Sequence, residues 1–74
     1  MLDEAKVIAS EDFISNLPTE QIVNLLSATT RYNCNKPNSI RKWSLDELKR
    51  RNPQEFEEAF GKFIDTFGYP ELDK

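Results

Sequence analysis

The sequence predicts an all-α protein, a compact three- or four-helix bundle folded as one small domain. Three observations predict it. Phe56, Phe60, Phe63 and Phe67 recur at spacings of four, three and four behind an Asn52-Pro53-Gln54-Glu55 start, which places all four rings on one helical face. Ile22, Leu25, Leu26, Thr29 and Tyr32 form a second, narrower stripe at helical spacing. Nowhere do apolar and polar residues alternate for long enough to specify a strand.

The first element is expected over about residues 3–16. Its apolar residues, Leu2, Ala5, Val7, Ile8, Phe13, Ile14 and Leu17, do not fall on one stripe at 100° per residue. Either this helix is buried on two sides, or it breaks near Ser10, which would then cap Glu11–Leu17. The second element, about 20–32, follows the turn Leu17-Pro18-Thr19, with Thr19 as its N-cap. It runs into Asn33-Cys34-Asn35-Lys36-Pro37-Asn38-Ser39, a run of turn-formers and the longest irregular piece expected.

A short third helix, about 45–51, is predicted by Ser44-Leu45-Asp46-Glu47, a capping-box pattern with Ser at N-cap and Glu at N3. Trp43 would stand at N′ and pack on Leu48 as a hydrophobic staple. Asp46–Arg50 and Glu47–Arg51 are acid-first i,i+4 pairs. The fourth helix, 53–67, is the best specified. Asn52 serves as N-cap, Pro53 sits at N1 where its missing N–H has no intrahelical acceptor, and Gly68 with Pro70 ends it. Its four Phe rings are expected to face inward as the main core, with an exposed Phe seam for a partner helix as the alternative. The ends, 1–9 and 69–74, are expected to fray first.

Length bounds the energetics. A domain of 74 residues has a core that supplies only about 3–5 kcal/mol of net stability. One cysteine excludes an intramolecular disulfide, so Cys34 reads as a reduced thiol. No signal-peptide pattern and no long apolar run are present, and a soluble cytoplasmic protein with no membrane association is expected. Charge is sorted along the chain. Residues 1–30 carry a net charge of −4, residues 31–51 carry +5 and residues 52–74 carry −4, within a total of −3. A partner meets those local fields, not the sum.

The sequence supplies few parts for catalysis. There is no histidine, which removes the commonest general base and the commonest metal ligand. One Cys without His cannot form a structural zinc site, and the two glycines lie in or just after the fourth helix, leaving no phosphate-cradling loop. Adjacent acids occur where helix starts favour negative charge or on solvent faces. No enzyme activity, no metal and no cofactor is expected.

The basic block is where outward function is expected. Arg31, Lys36, Arg41, Lys42 and Trp43 are the candidate partner-binding residues, gathered around the central loop. The expected activity is that of an adaptor or inhibitor docking on a protein partner through this patch, with charge setting approach and orientation. Nucleic-acid binding by the same patch is the alternative, with Trp43 and Tyr32 able to stack on bases. A helix-turn-helix reading is disfavoured, because the helix that would enter the groove begins with Glu55, Glu57 and Glu58. A third reading is a self-associating subunit. The chain is expected to be a monomer or weak homodimer.

Overall fold

The computed structural model of the protein describes residues 6, 7 and 9–73, with side chains from Ala9 onward. In chain order the elements are β1 (Lys6–Val7), α1 (Glu11–Ser15), α2 (Thr19–Ala28), β2 (Asn33–Cys34), α3 (Pro37–Arg51) and α4 (Pro53–Phe67). The fold is all-α, four helices with one two-residue parallel ladder that pairs Lys6 with Asn33 and Val7 with Cys34. No helix of the described residues is long and apolar enough to cross a membrane.

The predicted helix over 3–16 is corrected. Its chain is extended at Lys6–Val7 and helical only over Glu11–Ser15. Ser10 makes the break: its Oγ accepts the Phe13 N–H at 3.2 Å, an N-cap from an extended residue. Leu2, Ala5 and Ile8 of the expected apolar set, and most of the end expected to fray, lie outside the described residues.

α2 begins at Thr19, with Pro18 rather than Thr19 at the cap, and stops at Ala28 instead of about 32. Two threonines account for the early stop. Thr29 and Thr30 donate their hydroxyls back to the Leu26 and Ser27 carbonyls at 2.7 and 2.8 Å, competing with the helical ladder. Tyr32, counted in the predicted stripe, stands beyond the helix and is exposed.

The largest difference is α3, which starts at Pro37, not at about 45, so most of the expected loop is helix. Proline at N1 starts a helix well, and it holds the preceding Lys36 out of helical space at φ −144° and ψ 77°. Lys36 offers no side-chain acceptor. The C-terminal tail supplies one: Asp73 Oδ2 accepts the Ser39 N–H at 3.0 Å, and the Asp73 N–H donates to Ser39 Oγ at 2.6 Å. The tail is thereby tied to the start of α3 through Asp73.

Ser44 is not a cap. It lies mid-helix, fully buried, and its Oγ has no hydrogen-bond partner among the described residues. The expected capping box and Trp43 staple are therefore corrected: Ser44 is a small residue where α3 meets the core. Replacing it should discriminate the two roles. Loss of a cap costs about 1 kcal/mol. Removal of a buried hydroxyl that makes no bond, in favour of the best helix former, should instead be neutral or stabilising by up to about 1 kcal/mol. Ser44→Ala is accordingly expected to leave the thermal midpoint unchanged or raise it by a few degrees, read by circular dichroism.

α4 runs over the predicted span. Asn52 Oδ1 accepts the Glu55 N–H at 3.2 Å, and Asn52 Nδ2 donates to the Glu55 carboxylate. Gly68 ends the helix at φ 84° and ψ 168°, a region that L side chains rarely adopt, with its N–H donating to the Ile64 carbonyl at 2.8 Å. The expectation that all four rings face inward is corrected. Phe56 is buried at 4% exposure and Phe60 is half-buried, but Phe63 is 52% and Phe67 74% exposed. α3 is the hub on which α1, α2 and α4 each pack. The core joins Ile14 of α1, Ile22 of α2, Ile40, Leu45 and Leu48 of α3, and Phe56 of α4. α1 has five residues and packs on α3, and among the described residues Phe63 and Phe67 of α4 are left exposed.

Candidate partner-binding surface

Of the five predicted contact residues, Arg41, Lys42 and Trp43 lie on α3, while Arg31 and Lys36 flank β2 in the chain. Arg41 turns onto the end of α2: its Nε donates to Thr29 Oγ1 at 2.9 Å and its Nη2 to the Thr29 carbonyl at 3.2 Å. Arg51 does the same for α1, donating to the Ser15 carbonyl at 3.1 Å and to Thr19 Oγ1 at 3.2 Å. Neither α1 nor α2 has a basic residue in its last turn, so α3 provides from outside the positive charge that a helix C-terminus favours. Lys42 pairs with Asp46 at 2.9 Å and lies 5.5 Å from the centre of the Tyr69 ring. Tyr69 in turn donates its hydroxyl to Asp46 at 2.7 Å. Burial, and then the adjacent Asp46 carboxylate, push the Tyr69 phenol well above its ordinary range.

Asp46 is thus engaged by Lys42 and Tyr69, not by Arg50. Arg50 pairs with Glu47 instead, and so does Arg51, at 2.8 Å. Hydrogen bonds from the two guanidinium groups hold the Glu47 carboxyl below the usual carboxylate range despite its burial. Trp43 is half-buried against the core and lines a cleft with Glu11, Asp12 and Glu47. Lys36 and Arg31 are exposed, on either side of β2 in the chain. Among the described residues, no group of three or more His, Cys, Asp or Glu side chains is placed to hold a metal ion.

The surface on which the structure departs from the expected basic patch is apolar. α2 and α4 both lie against α3 without extensive contact with each other, and a groove runs between them. At one end, about 390 Å³ in volume, Thr19 and Val23 of α2 face Phe56 and Ala59 of α4 above Leu48. At the other end, about 490 Å³, Leu26 and Thr30 face Phe63 and Phe67 above Leu45 and Arg41. Phe60 lines both hollows. Gly68, Tyr69 and Pro70 border the larger end. Three helices therefore present rows at i, i+3, i+4 spacing: 19, 23 and 26, with Thr30 just beyond the end of α2; 41, 45 and 48; 56, 60, 63 and 67.

The order of those rows fixes direction: α2 and α4 run parallel, and α3 beneath them runs opposite. The Phe63 and Phe67 rings meet tilted, 5.0 Å between ring centres, so these two exposed rings form one patch. A signal for this was present in the sequence. The Phe stripe of α4 spans three full turns, more apolar length than the partly polar α3 can cover. Compared with known proteins, the chain matches no family model, no curated protein and no solved structure.

Proposed function

We propose that this domain is a non-catalytic protein-binding module, an adaptor or inhibitor that acts by docking on a protein partner or occluding its surface. Its contact face is the α2–α4 groove, with Arg41 of the basic block at its floor. The observation that carries this reading is the exposure of Phe63 and Phe67 as one contiguous patch. A chain of this size gains little net stability from its core, and burying one such ring is worth about 2–3 kcal/mol. Contiguous exposed aromatic surface of this kind marks interaction sites. The groove walls are hydrocarbon and aromatic, suited to an apolar protein surface and poorly suited to phosphates.

Reversing the charge of Arg41 and Lys42 together would not test docking cleanly, because Arg41 caps α2 and Lys42 pairs with Asp46. A photo-crosslinking phenylalanine analogue at position 67 does so without disturbing the core. In the native host, irradiation is expected to give a discrete protein adduct from position 67 and none from the same analogue at Lys49, an exposed position on α3. Equal labelling at the two positions, or none at 67, overturns the reading. Titration with labelled oligonucleotides is expected to be silent at low salt; tight binding with a steep salt dependence would assign the surface to nucleic acid instead.

A further inference from the structure

We propose that residues 69–73 form a strap that opens and closes as one unit about Gly68, with Asp73 as its latch on the first turn of α3. The need for a latch lies in the composition of that turn. Pro37, Asn38 and Ser39 bring no carboxylate to a helix start that favours one, and Lys36 at the cap makes no side-chain hydrogen bond. Asp73, 34 positions away, stands in for the N-cap residue of a capping box. Its carboxylate accepts the Ser39 N–H at 3.0 Å, and Ser39 Oγ accepts the Asp73 N–H at 2.6 Å. The pair is shielded from water, since Ser39 is 1% exposed.

Tyr69 is the other anchor. Its ring lies 6.5 Å from that of Phe56, and its hydroxyl donates to Asp46 at 2.7 Å. Ser39 and Asp46 are seven positions apart on α3, about 10 Å along its axis. The chain from Tyr69 to Asp73 reaches at most about 14 Å when extended, so the strap runs back along α3 with little slack. A tether this short, fixed at one end, holds its other end beside its partner at high effective concentration; release of one anchor therefore weakens the other. Pro70 keeps Tyr69 extended and lowers the entropy lost on closing. Glu71 and Leu72, between the anchors, are exposed and add little to hold the strap down. Gly68 aims it. At φ 84° and ψ 168° the backbone favours glycine, and a Cβ there would meet nothing within 4 Å, so the requirement comes from the angle and not from crowding. A change at that one residue redirects the strap and leaves α4 in place up to Phe67. Gly68, Tyr69 and Pro70 border the larger hollow, so opening removes part of its rim, whatever molecule meets the groove.

The test is amide hydrogen exchange, followed by NMR on the whole protein. In the parent, the Ser39 and Asp73 amides are expected to share one level of protection, below that of Leu48 in the core. Asp73→Ala is expected to speed exchange at Ser39 about tenfold, to move the Tyr69 ring resonances toward those of an unstructured chain, and to leave Leu48 unchanged. Gly68→Ala adds no contact and strains only the hinge backbone, and it is expected to speed Ser39 in the same way. Unchanged exchange at Ser39 in Asp73→Ala removes the latch. Faster exchange there with the Tyr69 resonances unmoved means two independent contacts and overturns the strap. Equal acceleration at Ser39 and Leu48 means global unfolding in place of strap opening and overturns it too. A Gly68→Ala protein that exchanges like the parent removes Gly68 as the hinge.

Discussion

Replacing Phe56 by alanine is expected to abolish the cooperative folding of this domain at room temperature. Phe56 is the one ring of the α4 stripe that is fully inside, at 4% exposure, and it meets Phe60 at 5.4 Å and Tyr69 at 6.5 Å between ring centres. Truncating a buried Phe costs about 3–5 kcal/mol through lost transfer energy and the cavity left behind. That range equals the whole net stability expected of a core this small. Urea titration followed by far-ultraviolet circular dichroism should show a sloping, transition-free profile for Phe56→Ala and a sigmoid for the parent. Phe67→Ala in the same assay is expected to shift stability by less than about 0.5 kcal/mol, since that ring is 74% exposed. Identical residues eleven positions apart on one helix then separate into one the core depends on and one whose truncation the fold tolerates.

The second large effect is expected at Glu47. This carboxylate is 9% exposed and accepts from both Arg50 and Arg51. Arg50 extends into solvent, where screening makes its pairing weak. Arg51 is largely enclosed, and through Ser15 and Thr19 it ties α3 to α1 and to the start of α2. Glu47→Gln is therefore expected to lower stability at neutral pH by about 2 kcal/mol, the scale of charge-assisted bonds lost from a buried site.

Its pH dependence follows from the direction of the shift. The folded state holds the Glu47 carboxyl below its ordinary value of 4.5, first through the Arg50 hydrogen bond and then through that of Arg51. The unfolded chain binds this proton more readily, so the contribution is fully present above that value and is lost as the pH falls through the folded one. Stability of the parent should decline on acidification below about pH 4.5 more steeply than that of Glu47→Gln, and the two denaturation midpoints should converge. A constant difference from pH 7 to pH 3 would show that the carboxylate contributes nothing through its ionisation.

Several features were legible because local chemistry decides them. Asn52-Pro53-Gln54-Glu55 starts α4 with its own atoms, and Gly68 with Pro70 ends it, so the fourth helix needs no neighbours to be recognised. The break at Ser10 is equally local. α3 was hidden for the opposite reason. Its core-facing row contains Arg41 and Ser44 between Ile40, Leu45 and Leu48, and two polar residues in that row erase the apolar period on which a helix is recognised. Ser44-Leu45-Asp46-Glu47 then imitates a helix start, although Glu47 is in place to hold Arg51.

The candidate surface divides in the same way. That Arg41 and Lys42 are cationic is written in the chain; that Arg41 is turned onto the last carbonyls of α2, and Lys42 onto Asp46 and Tyr69, depends on residues up to 27 positions away. The length and angular width of an apolar stripe are properties of sequence, because helical periodicity alone places Phe56, Phe60, Phe63 and Phe67 on one face. Which part of that face is covered is decided by what packs beside it. Among the described residues Phe56 is enclosed in the core and Phe60 is half-covered, while Phe63 and Phe67 stay exposed. Four identical side chains become two that are buried or half-buried in the core and two that stay exposed.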